Sequence, residues 1–268
     1  MPVTLGPLVQ HLPVWLLVLF RLSGIFMLGP VFGSVTVPTR IKVLLALGLS
    51  FCIYPILLSP GTASAEHLLP VFNEGLSLWS IAPLVGAELM IGLIIGYGAS
   101  LPMIGMQIGG HVIDQQMGLG IAGVFNPELG EQTGIVSEFY FMLALIVFII
   151  MGGHRVMLGT LVGSFSNVPL GGFSPDGNMV GLLVGLLSTM MSVALRIAAP
   201  ILCLIFLQTV ALGFIMRTVP QLNILSVGFA LRIMAGATMM IAAISIEAEV
   251  YRTEVLRMMD QISNFFAG

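Results

Sequence analysis

Apolar residues in this sequence fall into six long runs, separated by short polar segments and followed by a tail of different character. The runs cover residues 12–33, 41–58, 76–106, 139–166, 180–215 and 222–246, and the tail covers 247–268. A transmembrane helix needs about 20 predominantly apolar residues to cross a bilayer. The pattern therefore predicts an all-α membrane protein with about six apolar helical regions.

The fourth run is too short for a simple membrane span. Its best stretch, FYFMLALIVFIIM, has thirteen residues from Phe139 to Met151 and is followed at once by GGHR. Thirteen helical residues extend about 20 Å, which is less than the ~30 Å hydrocarbon core. We expect this region to break at Gly152–Gly153 and to turn back there, instead of crossing the bilayer as one helix.

The overall composition supports the membrane class. Of the 268 residues, 57% are hydrophobic and only 8% are charged, whereas a soluble globular domain carries about 25% charged residues. The net charge of −3 offers no basic surface to nucleic acid. Arg40 and Lys42 place the loop at 34–42 on the cytoplasmic side under the positive-inside rule, although the remaining arginines do not sort onto one side. The cysteines, Cys52 and Cys203, lie in apolar runs and are expected to be small buried residues.

Four charged residues interrupt the apolar runs, namely Arg21, Glu88, Arg196 and Arg232. A charge at the centre of a bilayer costs about 2.5–3.5 kcal/mol on insertion scales. A charge near a helix end can extend to the interface instead, but this explanation becomes strained when it must hold for all four residues. We expect these side chains to be paired, or to face water or a protein partner.

The segment GGHVIDQQMGLGIAGVFNP at 109–127 departs from the apolar pattern and contains no lysine or arginine. Each glycine in a helix costs about 1 kcal/mol relative to alanine. The glycines here predict a non-helical or broken-helix segment over 106–125; they are Gly109, Gly110, Gly118, Gly120 and Gly123. Because free backbone groups cannot face lipid, such a segment must line a cavity or be buried in protein. A polar loop outside the membrane is the alternative.

Two further patterns concern helix packing. Gly92, Gly96 and Gly98 form the most credible face for close helix contact. The tail is amphipathic, with apolar residues at helical spacing: Tyr251, Val255, Met258, Met259, Ile262 and Phe266. Because it carries four acids and two arginines, it is not built to bind anionic lipid. We expect either a solvated helical extension or a docking helix for a protein partner.

Candidate chemical groups are few. His111 and Asp114 could share a helix face, but a metal site wants three or four ligands, and the other candidate, His154, lies beyond a long apolar run. The sequence has no nucleophile elbow, phosphate loop or zinc-protease motif. An intramembrane enzyme that used His111, Asp114 and Glu88 would lack a recognisable nucleophile–base pair. We therefore expect no enzyme activity, no metal and no cofactor.

Three motifs together resemble the FliR/SctT family of type III secretion export-gate proteins. They are RLSGIFMLGPVFGSVTVPTRIKVLLAL at 21–47, the stretch at 109–171 that begins GGHVIDQQMG and ends SNVPLG, and VPQLNILSVGFALRI at 219–233. The similarity covers nearly the whole chain. It implies one FliR-type domain over 1–268, in which a FliP-like part is followed by a FliQ-like part. The helical hairpin core then covers 12–246, and the amphipathic C-terminal helix covers 247–268.

The resemblance also implies partners and a role. The family forms a narrow pore from five FliP, four FliQ and one FliR, near FlhB and FlhA, in the bacterial inner membrane at the flagellar basal body. Unfolded flagellar proteins pass through this pore. The family's plug-like loop matches 106–125 here, with Met106, Met117 and Phe125 beside the glycines as a soft, uncharged seal. The charges within the apolar runs would then serve assembly.

A second hypothesis, a secondary solute carrier, uses Glu88 or Asp114 as a proton-coupling acid. Inverted repeats would favour it, and the sequence contains none that we recognise. A carrier runs alone or as a symmetric dimer, whereas a gate subunit co-purifies with several small helical partners. The flagellar and virulence versions of the export gate cannot be separated by physical reasoning, and the flagellar interpretation depends on the closer family likeness.

Overall fold

The structure is a computed structural model, and it describes residues 6–34, 37–57, 78–119, 134–173, 177–218 and 224–267. Within these ranges the chain forms seven α-helices and no β-strand. The helices are α1 (Gly6–Leu28), α2 (Thr39–Leu57), α3 (Leu78–Met117), α4 (Ile135–Ile150), α5 (Gly153–Asn167), α6 (Gly177–Thr218) and α7 (Ile224–Ala267). The prediction of an all-α fold is confirmed.

The lengths of the helices fit a membrane protein. In the described part of the chain, α1, α2, α3, α6 and α7 are each long and apolar enough to cross a membrane, and α4 with α5 passes the same test only as a bent pair. The expectation of about six apolar helical regions is thus confirmed. α3, α6 and α7 have 40, 42 and 44 residues. Each therefore extends about 60 Å, roughly twice the thickness of a hydrocarbon core.

The break between α4 and α5 depends on Gly152. Its φ of 72° lies in the left-handed region, which residues with a Cβ rarely adopt. On one side of it, the Met151 N–H donates to the Val147 carbonyl at 2.9 Å and closes α4. On the other side, the Arg155 N–H donates to the Gly152 carbonyl at 2.8 Å and opens α5. The predicted break at Gly152–Gly153 is confirmed.

The chain divides into two compact units. The first contains Met1–Ser100, Gly152–Leu186 and Leu256–Gly268, and the second contains Leu101–Met151 and Leu187–Val255. α3, α6 and α7 each contribute residues to both units. Each unit has its own core of buried aliphatic and aromatic side chains.

In the first unit, glycines on α3 allow close packing. A Cβ at Gly96 would lie 3.1 Å from the Ile25 Cα on α1, and a Cβ at Gly92 would collide with the α1 backbone. A Cβ at Gly98 would collide with the Ile262 side chain on α7. Gly92 and Gly96 therefore share the expected packing face, and α1 and α3 lie in backbone contact there. The expectation is wrong for Gly98, which lies on a different face of α3, against α7.

In the second unit, the glycines further along α3 have the same function. A Cβ at Gly105 or Gly109 would lie 2.7 Å or 2.9 Å from a backbone oxygen of α6. A Cβ at Gly110 would lie 2.8 Å from the Ser137 Cα on α4. These glycines make room for neighbouring helices, and the packing gained outweighs their low helix propensity.

The prediction of a non-helical segment over 106–125 is therefore wrong for residues 106–117, which form the last three turns of α3. Gly118 and Leu119 form a turn, and 120–125 lie outside the described residues. The physical reason is that the glycines of this helix allow neighbouring helices to approach its backbone closely. An argument from helix propensity alone interprets the same glycines as a break in the helix.

Two other expectations are also corrected. The tail is not a separate element, because α7 continues without interruption from Ile224 to Ala267. Its apolar stripe lies in the protein core instead of on a solvated extension, since Tyr251, Val255 and Ile262 are fully buried. Cys52 and Cys203 are free but exposed on the surface of the chain, so they are not buried core residues.

The left-handed Gly152 gives the first prediction. Gly152→Ala should lower the free energy of unfolding by about 1–2 kcal/mol, because alanine is strained at positive φ. Gly159→Ala is the matched control, because Gly159 lies within α5 with no atom near its missing Cβ; it should be neutral or stabilising by up to about 1 kcal/mol. Unfolding midpoints in sodium dodecyl sulfate would measure both effects. Equal shifts in the two variants would contradict this account of the break.

Candidate functional site

A buried ion pair lies at the centre of the first unit. The Arg21 guanidinium on α1 donates from Nε to the Glu88 carboxylate on α3, and both side chains are fully buried. Arg21 also donates to Ser164 Oγ and to the Val168 carbonyl, each at 3.2 Å, while its charge lies 4.3 Å from the centre of the Phe165 ring. The expectation that Arg21 and Glu88 are each paired is confirmed, and the structure shows that they pair with each other.

The second carboxylate oxygen of Glu88 accepts a hydrogen bond from the Gly171 N–H at 2.8 Å. The pair therefore connects α1 and α3 with the end of α5 and with the turn that follows α5. Gly24 on α1 makes this possible, since a Cβ there would lie 2.6 Å from the Leu93 nitrogen. A buried pair with its remaining donors and acceptors satisfied is tolerated, whereas removal of one partner leaves an uncompensated charge.

In the second unit, Asp114 holds the start of α4. Its carboxylate accepts hydrogen bonds from the Val136 N–H at 3.0 Å and from the Ser137 N–H at 2.9 Å. These are first-turn amides that α4 itself cannot satisfy, and an anion at this position also complements the helix dipole. Gly134 gives Asp114 access, because a Cβ there would collide with the carboxylate. Asp114 is buried. The cap of α4 is therefore a side chain from another helix, α3.

The same residue also marks the end of α3. The Leu119 N–H donates to the Asp114 carbonyl at 3.0 Å, and the Gly118 N–H donates to the Gln115 carbonyl at 3.2 Å. With Gly118 at a φ of 81°, this is a Schellman motif, in which glycine stops the helix. We call the contacts of Asp114 with Leu119, Val136 and Ser137 the Asp114 clasp. Asp114 thus contacts both the turn that ends α3 and the first turn of α4.

The structure places the expected plug residues as follows. Met106 and Met117 are buried within the chain, and the Met117 sulfur lies 2.8 Å from the site a Cβ would take at Gly236 on α7. Gly109 and Gly110 pack against neighbouring helices, and Gly118 forms the turn described above. The remaining three, Gly120, Gly123 and Phe125, lie outside the described residues.

Buried acids on α7 form a second set of polar contacts that the sequence interpretation missed. The Tyr140 hydroxyl on α4 lies 2.9 Å from both carboxylate oxygens of Glu247. Arg196 on α6 donates to Glu254 at 3.0 Å. A signal was available, because Glu247 and Glu254 are seven residues apart and share a helix face with the buried Tyr251.

Arg232 forms no ion pair among the described residues, unlike the other three charges. It is half-buried on α7, and its Nη2 donates to the Thr209 hydroxyl on α6 at 3.3 Å. Its Nε atom and the Oε1 atom of Gln208 are buried without a hydrogen-bond partner in the described part of the chain. Gln208 lies at a cavity of about 510 Å³ between the two helices, which Leu231, Met234 and other side chains also line.

This arrangement does not favour solute transport by proton coupling. Glu88 is held by Arg21, and Asp114 is held by two backbone amides. Neither carboxylate lines the cavity between α6 and α7 or the groove between α1 and α2. His111 is exposed and lies 3.1 Å from the Gln115 amide nitrogen, and within the described ranges no group of three potential ligands could hold a metal ion.

Comparison with known proteins identifies relatives over the whole chain. Residues 12–258 match the family model "Bacterial export proteins, family 1". The chain is 29% identical to the flagellar biosynthetic protein FliR of Bacillus subtilis, with 98% of each chain covered. It is 28% identical to the protein of that name in Escherichia coli, covering 84% and 81% of the two chains. It is also 29% identical to the Yop proteins translocation protein T of Yersinia pestis, covering 53% and 55%.

The buried ion pair gives the second prediction. Glu88→Leu should lower the free energy of unfolding by about 3–5 kcal/mol, because it leaves Arg21 buried and unpaired. Adding Arg21→Met should recover part of this loss. Glu249→Leu is the control, since Glu249 forms an exposed pair with Arg252 at 3.5 Å and should change stability by less than about 1 kcal/mol. A Glu88→Leu effect as small as the control would contradict the assigned role.

The Asp114 clasp gives the third prediction. Asp114→Ala should cost about 0.5–2 kcal/mol at the start of α4, as for other lost helix caps. Hydrogen exchange should then accelerate at the Val136 and Ser137 amides, while the centre of α4 stays protected. His111→Ala, one turn earlier and exposed, is the matched control. Unchanged exchange at both amides would show that the cap does not hold α4.

Proposed function

Because this chain belongs to family 1 of the bacterial export proteins, we propose that it is a subunit of a flagellar protein export gate in the bacterial inner membrane. In this proposal it forms the pore with FliP and FliQ, in the proportions of five FliP and four FliQ to one copy of this chain. FlhB and FlhA are neighbours at the basal body. Unfolded flagellar proteins are the cargo, and the chain is not an enzyme.

The flagellar assignment is supported by the extent of the similarity. The FliR relatives match 84% or more of this chain in the two cases given above, and the Bacillus subtilis protein matches it almost from end to end. The virulence relative matches about half of it. The same percentage of identity therefore extends over nearly twice as much chain in the flagellar relative.

The Asp114 clasp is the observation that carries the gate proposal. We propose that the turn at Gly118 and the residues that follow it to Phe125 form the plug, while 106–117 form its helical base. A plug must be anchored at both ends to a fixed scaffold. The residue before the proposed loop, Leu119, and the first turn of α4 after it are both hydrogen-bonded to Asp114. The buried Met106 and Met117 then hold the base against neighbouring helices instead of lining the passage themselves.

The surfaces of α6 and α7 support the proposed assembly with partners. Within the chain, only 39% of the apolar part of α6 and 17% of that of α7 are buried. Buried polar atoms are nearly always hydrogen-bonded, and Gln208 and Arg232 have two such atoms unpartnered in the described residues. A polar side chain from an adjacent subunit would pair with the half-buried Arg232 guanidinium, and the apolar faces around it would pack on that subunit.

Removing the plug tests the gate proposal. Deletion of 120–125 should increase leakage of small ions across the membrane in cells that express the whole complex, because the passage loses its closure. A deletion of equal length at 61–66, between the second and third apolar runs, is the control and should leave the membrane tight. Complex recovered by affinity purification must be equal in the two strains. A membrane as tight as that of the control would make the plug assignment wrong.

Arg232→Leu tests the assembly surface. We expect the amount of co-purified partner subunits to fall several-fold, because the charge-assisted contact is lost at the interface. Arg252→Leu removes a charge from an exposed position on the same helix and should leave the yield unchanged. Full recovery of the complex with Arg232→Leu would contradict this assignment without affecting the plug.

A further inference from the structure

An apolar groove of about 270 Å³ lies between α1 and α2, in the half of the pair next to their connecting turn. Its walls come from both helices and include Leu19, Phe20, Phe26, Met27, Val43 and Leu47. Ser23 also lines the groove, but its hydroxyl donates to the Phe20 carbonyl at 2.8 Å. The walls therefore present little unsatisfied polarity, and the groove suits a purely apolar occupant.

One end of this groove is positively charged. Thr39 and Lys42 line it where α2 begins, with Lys42 half-buried and Arg40 exposed nearby. Neither cation pairs with an acidic side chain among the described residues, and the first turn of α2 contains no acid. The amides at the start of α2 add the positive end of a helix dipole. An occupant that carries a negative charge at this end would be favoured.

We propose that this groove binds an acyl chain of an anionic phospholipid, with the phosphate of its headgroup against Lys42 and the start of α2. From Thr39 to Leu47 the groove runs about 12 Å along α2, enough for a stretch of extended acyl chain. α1 and α2 both have the length and composition of membrane spans, and only 22% of α2 is buried within the chain. Its exposed face is therefore available to lipid.

The position of the charge fits the same occupant. Arg40 and Lys42 place the turn between α1 and α2 on the cytoplasmic side under the positive-inside rule. The cytoplasmic leaflet carries the anionic lipids that basic pockets between transmembrane helices bind. A peptide segment with an acidic residue is the competing occupant. This inference concerns the α1–α2 hairpin alone and does not depend on the export function.

The test uses the intact complex, purified in mild detergent and reconstituted in nanodiscs that contain phosphatidylglycerol and phosphatidylcholine. Native mass spectrometry then measures the lipid retained after release from the nanodisc. The unaltered protein should retain phosphatidylglycerol in preference, and Lys42→Gln should reduce this retention about fivefold. Arg217→Gln, at an exposed arginine in the last turn of α6, is the control and should retain lipid normally.

A second variant separates loss of the groove from loss of the charge. Ala46→Phe fills the groove and should abolish retention of both lipids while Lys42 remains. Equal retention of phosphatidylglycerol by Lys42→Gln and the control would overturn the proposal. A cross-link from Val43→Cys to a protein partner in high yield would also overturn it, because that outcome assigns the groove to a peptide segment.

Discussion

A charge or backbone group that is buried among apolar helices must find its hydrogen-bond or ion-pair partner inside the protein. This constraint determines which segments of this chain are in contact around the buried polar groups. Arg21 and Glu88 meet this requirement in the first unit, together with the Val168 carbonyl and the Gly171 amide. Asp114 meets it in the second unit, where it satisfies first-turn amides of α4. Each of these residues joins segments that are distant in sequence, so a few polar contacts connect helices that are far apart along the chain.

Close backbone approach is the condition that allows these contacts. Gly24 and Gly92 bring α1 and α3 near enough for the ion pair to form, and Gly134 leaves space for the Asp114 carboxylate. The glycines of this chain therefore act mainly as packing residues. Among the described glycines, Gly118, Gly152 and Gly171 have a left-handed φ, and at Gly118 and Gly152 this conformation ends or interrupts a helix. The proposed plug begins at the first of these two positions.

The sequence predicted the helical class, the break at Gly152 and that Arg21 and Glu88 do not face lipid unpaired, because hydrophobic periodicity, length and the cost of a buried charge are local or near-local arguments. It did not predict that these two residues are each other's partners. It did not predict the helix over 106–117, since the partners of Gly109 and Gly110 lie on other helices. Nor did it predict that Glu247 and Glu254 are buried, although their spacing places them on the apolar face of α7. Charge was taken as a sign of solvation there, and the structure supplies the partners Tyr140 and Arg196 instead.

We propose that this chain is one subunit of a larger export gate, with the plug held at the Asp114 clasp. Cryo-electron microscopy of the complex purified through an affinity tag on this chain tests it most directly. The account predicts a single copy of the chain among several copies of small helical partners, with 120–125 on the central axis and Asp114 bound to the start of α4. A chain that is isolated alone or as a symmetric dimer, or one whose residues 120–125 face away from the axis, would contradict it.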